Sequence, residues 1–229
     1  DADPATALSN KRFPWLSAQR IELGMCPVNA IRVAYTGELG WELHHPIEMQ
    51  NYLFDLLERA GQKHGMKLVG ARAQGWLRQE KSYRAFGNEL GRDGTPLEAG
   101  LPRFVDTGKE FRGKAKLVET GIRSKCCTLL IDGPADADPW GREALYDEAG
   151  ARVGRLTSGG YSVAFGKSIG MGYVRPELAV EGVRLRVRMF DQLWNAVVTC
   201  DSPYDPRNEA IRKDTHEEKA REKEVQFMA

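Results

Sequence analysis

The sequence predicts an α+β fold, in which a hairpin and helices form a first region and a small β-barrel forms a second. Two observations carry this prediction. Apolar residues recur with the spacing of an amphipathic helix over residues 47–63 and again over residues 71–86. Between residues 125 and 203 the pattern changes to short strand-like runs that are separated by turn signals. Helical segments followed by a series of strands are typical of α+β proteins.

A β-hairpin is the first regular element that the sequence predicts. Residues 29–36 form an alternating strand, residues 37–40 supply two glycines in a short loop, and residues 41–45 run back as a second strand. Residues 1–24 are polar and mixed, but they contain the motif Phe-Pro-Trp-Leu at positions 13–16. This composition indicates a lead-in segment that packs its aromatic side chains against another part of the protein.

Two helices are predicted to follow the hairpin. The first covers residues 47–63, with Pro46 at its start and Gly61 near its end. The second covers residues 71–86 and carries Glu80 on its apolar stripe, where a carboxylate must be paired or must bind a ligand. The apolar stripe of the first helix should be buried and consists of Met49, Tyr52, Leu53, Leu56, Leu57 and Ala60.

Six strands are predicted to form the barrel. A change in composition near residue 120 marks a domain junction, so the predicted domains are residues 1–120 and residues 121–208. Residues 209–229 are rich in charges of both signs, which predicts a solvated or frayed helical tail. The predicted strands cover residues 127–131, 143–146, 153–157, 168–174, 184–189 and 193–199.

Composition and charge argue against several classes of partner. Hydrophobic residues make up 41% and charged residues 28% of the 229 residues, which is ordinary for a globular protein. Lys and Arg total 33 against 32 for Asp and Glu, so the sequence offers no electrostatic footprint for nucleic acid or for an anionic membrane. No apolar run approaches the ~18 residues of a membrane span, and no signal peptide is visible.

The cysteines are expected to be free thiols, buried or partly buried, in a reducing compartment. This expectation favours the cytoplasm, or the mitochondrial matrix in a eukaryote. The adjacent His44 and His45 would point to opposite faces of a strand, so no metal site is expected. The cysteines are Cys26, Cys126, Cys127 and Cys200.

The predicted hairpin places a phenol beside a carboxylate. With a loop at residues 37–40, Tyr35 opposes Glu42, and opposed residues share a face with Cβ atoms about 5 Å apart. Ile31 and Val33 make this face apolar, so the carboxylate needs hydrogen-bond donors there. Two interpretations stay open. The carboxylate bonds a buried arginine or backbone N–H groups, or it binds a ligand with two parallel donors, as a pterin or guanine edge offers.

These residues also carry a family resemblance. The hairpin resembles the Tyr-x-Gly-Glu-x-Gly-x-Glu motif of the aminomethyltransferase (glycine-cleavage T-protein) family, which here runs Tyr-Thr-Gly-Glu-Leu-Gly-Trp-Glu over residues 35–42. The chain closely resembles the folate-binding region of dimethylglycine and sarcosine dehydrogenases and oxidases. Each motif is short, but their shared order makes the resemblance specific. Further similar segments are residues 7–15, 70–72, 77–81, 87–90, 95–100, 157–160, 170–174 and 202–206.

The resemblance implies that the chain is the C-terminal part of a T-protein-like folate-binding core followed by the barrel. It also implies a function, which is to bind tetrahydrofolate and load it with a one-carbon unit as 5,10-methylene-tetrahydrofolate. In this family the second glutamate of the hairpin accepts hydrogen bonds from the pterin, and that residue maps to Glu42. The tyrosine that lines the folate site maps to Tyr35, and the arginine that meets the glutamate tail maps to Arg72. From the residues alone, Arg72 could instead form an internal ion pair, for which Glu80 is one candidate partner.

The remaining charged and aromatic residues of these motifs have simpler interpretations. Trp41 and Trp76 are interpreted as core residues, and Glu38 as a turn residue. The family's catalytic aspartate lies in its N-terminal segment, so no catalytic residue is expected in this chain. A flavin-dependent amine dehydrogenase domain or subunit carrying FAD is the implied partner. It would oxidise an N-methyl amine to an iminium or to formaldehyde, which the folate captures mainly through proximity.

Two other functions remain open at this point. One is a folate-dependent O- or S-demethylase, which would use no flavin and would release 5-methyl-tetrahydrofolate. The other is a folate-binding scaffold subunit that has lost catalysis. Relatives of that kind tend to rely on a cysteine in a short loop motif, and the cysteines here lack that motif.

Overall fold

The computed structural model describes residues 4–134 and 137–214. Within it, residues 4–70 and 207–214 belong to one compact unit, and residues 71–134 and 137–206 belong to a second. Helices and a small sheet precede a closed six-stranded antiparallel barrel, so the predicted α+β class is confirmed. The longest helix described has 13 residues, and none is both long and apolar enough to cross a membrane.

The first unit is built around a three-stranded antiparallel sheet. Its strands pair in the order β1-β2-β3, and a 3-10 helix at Ile47–Met49 leads into the main helix of the unit. The helices and strands of this unit are α1 (Pro4–Ala7), β1 (Ala18–Leu23), β2 (Cys26–Ile31), β3 (Glu42–His44) and α2 (Gln50–Gln62).

The hairpin is present, but its predicted register is wrong. Strand β2 ends at Ile31, which is the Cα partner of Glu42, so a connection of residues 32–41 replaces the four-residue loop. The chain leaves the strand because Val33 N donates to Ile31 O in a tight turn and the side chain of Arg32 turns into the core. Its guanidinium donates to the carbonyls of Phe13 and Lys213, at 2.6 and 2.8 Å.

The core of the first unit explains the aromatic lead-in. Phe13 is buried and contacts the ring of Trp41 at 6.3 Å between centroids, which confirms that the lead-in packs against the rest of the protein. Strand β1 was not predicted, although Ile21 and Leu23 alternate with polar residues as in a half-buried strand; it lies at an edge of the sheet. Of the predicted helical stripe, Leu53 is buried, whereas Leu57 is exposed.

The second unit consists of two helices and the barrel. Helix α3 covers Ala71–Glu80, a 3-10 helix covers Pro102–Phe104, and helix α4 covers Lys114–Thr120. All six predicted barrel strands are confirmed, and they close in the order β4-β7-β6-β5-β8-β9. These strands are β4 (Lys125–Ile131), β5 (Ala144–Tyr146), β6 (Arg152–Ser162), β7 (Lys167–Val174), β8 (Arg184–Met189) and β9 (Gln192–Val198).

The interior of the barrel is apolar because alternate strand residues point inward. Its buried side chains come from all six strands. Those with no exposed surface are Leu129, Ile131, Leu145, Leu156 and Val187.

Helix α3 ends six residues before its predicted end at Phe86. Ser82 adopts a left-handed backbone conformation with φ 54°, and Tyr83 N donates to Arg78 O at 2.8 Å, which closes the helix. The side chain of Lys81 is buried, and its ammonium group donates to the carbonyls of Tyr204 and Asp205. This buried lysine directs the chain away from the helix axis.

The four cysteines are free thiols, as predicted. Burial raises the pKa of both Cys126 and Cys127 to about 12, so these thiols stay protonated at neutral pH and are poor nucleophiles. Of the predicted charged tail, residues 215–229 lie outside the described part. Before them, Ile211 is buried and Arg212 lies over the ring of Trp15.

Candidate functional site

The most distinctive site in the second unit is a cation between two aromatic rings. The guanidinium of Arg72 lies 5.2 Å from the ring centroid of Trp76 and 6.0 Å from that of Trp140. Its Nη2 donates to the carboxylate of Asp138 at 3.3 Å. Because the Arg72 side chain is 66% exposed, this single long contact contributes at most about 1 kcal/mol, and the guanidinium stays accessible to an anionic ligand.

Arg72, Trp76 and Trp140 border a cavity of about 340 Å³, which is large enough for part of a drug-sized ligand. Trp76 forms one wall and packs against the backbone of Gly160, where a Cβ atom would lie 2.1 Å from Cδ1 of the indole. Only glycine at position 160 therefore lets the indole approach strand β6 this closely. The cavity is lined by Arg72, Gly75, Trp76, Arg78, Gln79, Asn88, Pro139, Trp140, Ser158 and Gly159.

A buried ion pair supports the floor of this cavity. Arg78 Nη1 donates to Glu89 Oε2 at 2.9 Å, and both side chains are at most 5% exposed. Arg78 Nη2 donates to Ser158 Oγ, and Ser158 in turn donates to Glu89 Oε1. Thr157 Oγ1 and the backbone N–H of Ala85 also donate to the carboxylate. The network links helix α3 to strand β6 and fixes the cavity wall.

Glu80 is part of a second buried network and does not pair with Arg72. Its Oε1 accepts hydrogen bonds from Ser162 Oγ at 2.5 Å and from Ala164 N at 3.2 Å. Arg72 does form an internal ion pair, but its partner is Asp138 and not the suggested Glu80. Nε2 of Gln79 donates to the carbonyls of Gly75 and Gly159, which further holds helix α3 on β6.

In the first unit, Glu42 lies at the first position of β3 with its side chain 51% exposed. Its carboxylate contacts His44 Nε2 at 3.3 Å, and neither an arginine nor a backbone N–H within the described residues bonds to it. The expectation of an apolar, buried surrounding is therefore wrong. The carboxylate needs no internal compensation, because water already solvates it, and it can accept further hydrogen bonds from a ligand.

The predicted site residues fall into both units. Tyr35 lies in the connection of residues 32–41, and the structure does not place it opposite Glu42, because Ile31 holds that position. Arg72 is the second residue of the second unit and lies in the first turn of α3. The interpretation of Trp41 as a core residue fits its contact with Phe13.

Sequence reasoning missed Asp138 and Trp140. Both lie in the segment before β5, and Asp138 is 66 residues from its partner Arg72. No periodicity or motif marks them, since the approach of this segment to α3 depends on how the barrel closes.

Comparisons with known proteins agree with this architecture. The GCVT N-terminal domain family matches residues 2–109, and the glycine cleavage T-protein C-terminal barrel domain family matches residues 125–205. The predicted junction at residue 120 lies in the interval between them. The glycine cleavage system aminomethyltransferase T from Bartonella henselae has the same fold, with a TM-score of 0.73 over 84% of this chain and 53% of that chain, at 24% identity.

Two relatives that are named as dehydrogenases show clear sequence similarity. Human mitochondrial dimethylglycine dehydrogenase is 39% identical over 198 residues, which is 83% of this chain and 22% of the relative. Mouse mitochondrial sarcosine dehydrogenase is 31% identical over 224 residues, which is 93% of this chain and 24% of the relative. The chain thus spans less than a quarter of either relative. Since its two halves match the two family domains in order, the chain belongs to the glycine-cleavage T-protein (aminomethyltransferase) family.

Proposed function

We propose that this chain is the tetrahydrofolate-binding portion of an enzyme that oxidatively demethylates an N-methyl amine, and that it captures the released one-carbon unit as 5,10-methylene-tetrahydrofolate. The observation that carries the proposal is the cavity beside Arg72 in a chain of the T-protein family. Dimethylglycine and sarcosine, which name the two relatives, are both N-methylated amino acids. A flavin-carrying domain or partner subunit with FAD would perform the oxidation.

The residues beside this cavity fit the tail of a folate. The tail combines an aromatic ring with carboxylates, and Arg72 offers a guanidinium between two indole faces. An arginine can bind a carboxylate through two parallel hydrogen bonds, and an indole face can stack on an aromatic ring. In this proposal Arg72 orients the tail, and Trp76 and Trp140 exclude water from its ring.

Glu42 and Tyr35 are proposed to recognise the pterin. Tetrahydrofolate presents an amino group and a ring N–H side by side, and these are the two donors that an exposed carboxylate can accept. The single contact of Glu42 with His44 leaves acceptor capacity on the carboxylate. Tyr35 is proposed to line the site. The folate supplies a nucleophilic nitrogen. In this proposal Glu42 and Tyr35 hold the pterin in place, so that the nitrogen captures the one-carbon unit before that unit diffuses away.

Replacing Arg72 tests the cavity directly. In the full natural protein, Arg72→Gln is expected to weaken tetrahydrofolate binding about tenfold, because one charge-assisted contact to a carboxylate is lost. Binding of tetrahydropterin, which has no anionic tail, should change less than about twofold by the same arithmetic. The measurement is isothermal titration calorimetry with both ligands.

A suitable control is Arg175→Gln, which removes an exposed arginine from the barrel surface. It should leave both affinities unchanged. The proposal that this cavity binds the folate tail would be contradicted if both variants weakened tetrahydrofolate binding equally, or if Arg72→Gln left the affinity unchanged.

A further inference from the structure

A second cavity of the barrel unit is lined by three arginines. It has a volume of about 570 Å³, and its lining includes Arg142, Arg152, Arg155 and the phenol of Tyr173. We call these four residues the arginine groove. All three arginines are exposed, so the groove opens to solvent on the outer face of the barrel.

The backbone brings the three arginines to one face by means of an irregularity. Arg155 is the Cα partner of both Ala144 and Tyr173, so it shares their outer face. On a regular strand, Arg152 would point to the opposite face from Arg155. The register of β5 and β6 shifts at Leu145/Tyr146, and such a bulge directs both arginines outward.

Arg142 reaches the same groove from the segment before β5. Its backbone is in the left-handed region at φ 85°, and its N–H donates to Leu156 O at 2.8 Å. A non-glycine residue in that conformation is costly and persists because neighbouring contacts hold it there. The fold thus holds a third guanidinium beside the other two despite a local cost in backbone energy.

The three arginines of the groove form no ion pair with an acidic side chain among the described residues. By contrast, Arg78, Arg84 and Arg123 of the same unit each form one. Two acidic residues contribute to the lining. Glu89 is already bonded by Arg78 and two hydroxyls, and Asp93 is exposed.

We propose that the arginine groove binds a small polyanion that carries at least two oxyanion groups, either carboxylates or phosphates. Adjacent guanidinium groups repel one another, and an anion held by bidentate hydrogen bonds removes this repulsion. Arginine suits such a site because its planar fork matches the geometry of both carboxylate and phosphate. The site is separate from the one-carbon chemistry proposed above and does not depend on it.

Calorimetric titration of the full natural protein with inorganic tripolyphosphate and, separately, with citrate tests the proposal. We expect saturable binding of at least one probe at low ionic strength, weakened by added salt because the groove is exposed. Binding of tripolyphosphate alone would identify phosphate as the ligand chemistry, and binding of citrate alone would identify carboxylate. Either result supports the site.

The matched variants are Arg155→Gln in the groove and Arg184→Gln outside it. Arg184 is an exposed arginine of β8 that does not line the groove, so both changes remove one positive charge from the same barrel. Arg155→Gln is expected to weaken binding about tenfold, and Arg184→Gln less than about twofold. Absence of binding by both probes, or equal weakening by both variants, would overturn the proposal.

Discussion

Arg78→Met is expected to destabilise the barrel unit by about 3–5 kcal/mol, because it leaves the buried carboxylate of Glu89 without its cation. The pair is almost fully buried, with side-chain exposures of 5% and 0%. Three other donors remain, from Thr157, Ser158 and the Ala85 N–H, but none carries a charge. The free energy of unfolding, measured in urea, provides the test.

Two further variants separate charge from packing. The double change Arg78→Met with Glu89→Leu removes both charges and should recover part of the lost stability, since no buried charge is then left unpaired. Arg175→Met breaks exposed ion pairs and should change stability by less than about 0.5 kcal/mol. If Arg78→Met behaved like Arg175→Met, the network would not support the cavity as described.

Glu98 is expected to make the stability of the second unit strongly dependent on acid pH. Hydrogen bonds from Arg123, together with bonds from the backbone of Thr95 and Arg123, lower the pKa of this carboxyl from 4.5 to about 2, although burial opposes the shift. Its Oε1 accepts from Arg123 Nε at 3.0 Å and its Oε2 accepts from Thr95 N at 2.8 Å. The carboxyl side chain is 1% exposed.

A depressed folded-state pKa means that ionised Glu98 stabilises the native protein. The contribution is complete above the unfolded pKa of 4.5 and is lost as the pH falls towards the folded pKa of about 2. The shift corresponds to about 3 kcal/mol. We therefore expect Glu98→Gln to be less stable than the unmodified protein at pH 7 by about this amount, with the difference shrinking steadily between pH 4.5 and pH 2.

The measurement is urea unfolding at several pH values for both proteins. Glu119→Gln serves as the control, because that carboxylate is 71% exposed and, among the residues that the structure describes, pairs only with Lys116. The free energy of unfolding of Glu119→Gln should differ little from that of the unmodified protein at every pH. A Glu98→Gln difference that does not vary with pH would show that ionisation of this carboxyl is not the source of the stability.

The barrel could be predicted from sequence because each strand is marked locally. Turn residues separate all six strands, and in β5 and β8 the inward-facing Leu145 and Val187 alternate with more exposed residues. The six strands close into a barrel because closure pairs both edge strands of the sheet and leaves no backbone edge unpaired. Some charged residues of the motifs that resemble the family have a structural role. Arg78, Glu80 and Glu89 stabilise the fold through buried hydrogen-bond networks.

The hairpin register and the cavity could not be predicted, because they depend on contacts distant in sequence. Arg32 ends β2 early by donating to the carbonyl of Lys213, which is 181 residues away. No local pattern signals that a cation will enter the core at this point. The contact of Arg72 with Asp138 and Trp140 likewise requires the loop before β5 to approach α3.

Binding of tetrahydrofolate through Glu42 can be tested by one calorimetric titration. The full natural protein and its Glu42→Gln variant are titrated with tetrahydrofolate, with Glu58→Gln on α2 as an exposed control. We expect one-to-one binding that Glu42→Gln weakens at least about tenfold, since an amide replaces one acceptor with a mismatched donor. Glu58→Gln should bind like the unmodified protein. Equal affinity of the Glu42→Gln variant and the unmodified protein would contradict the account.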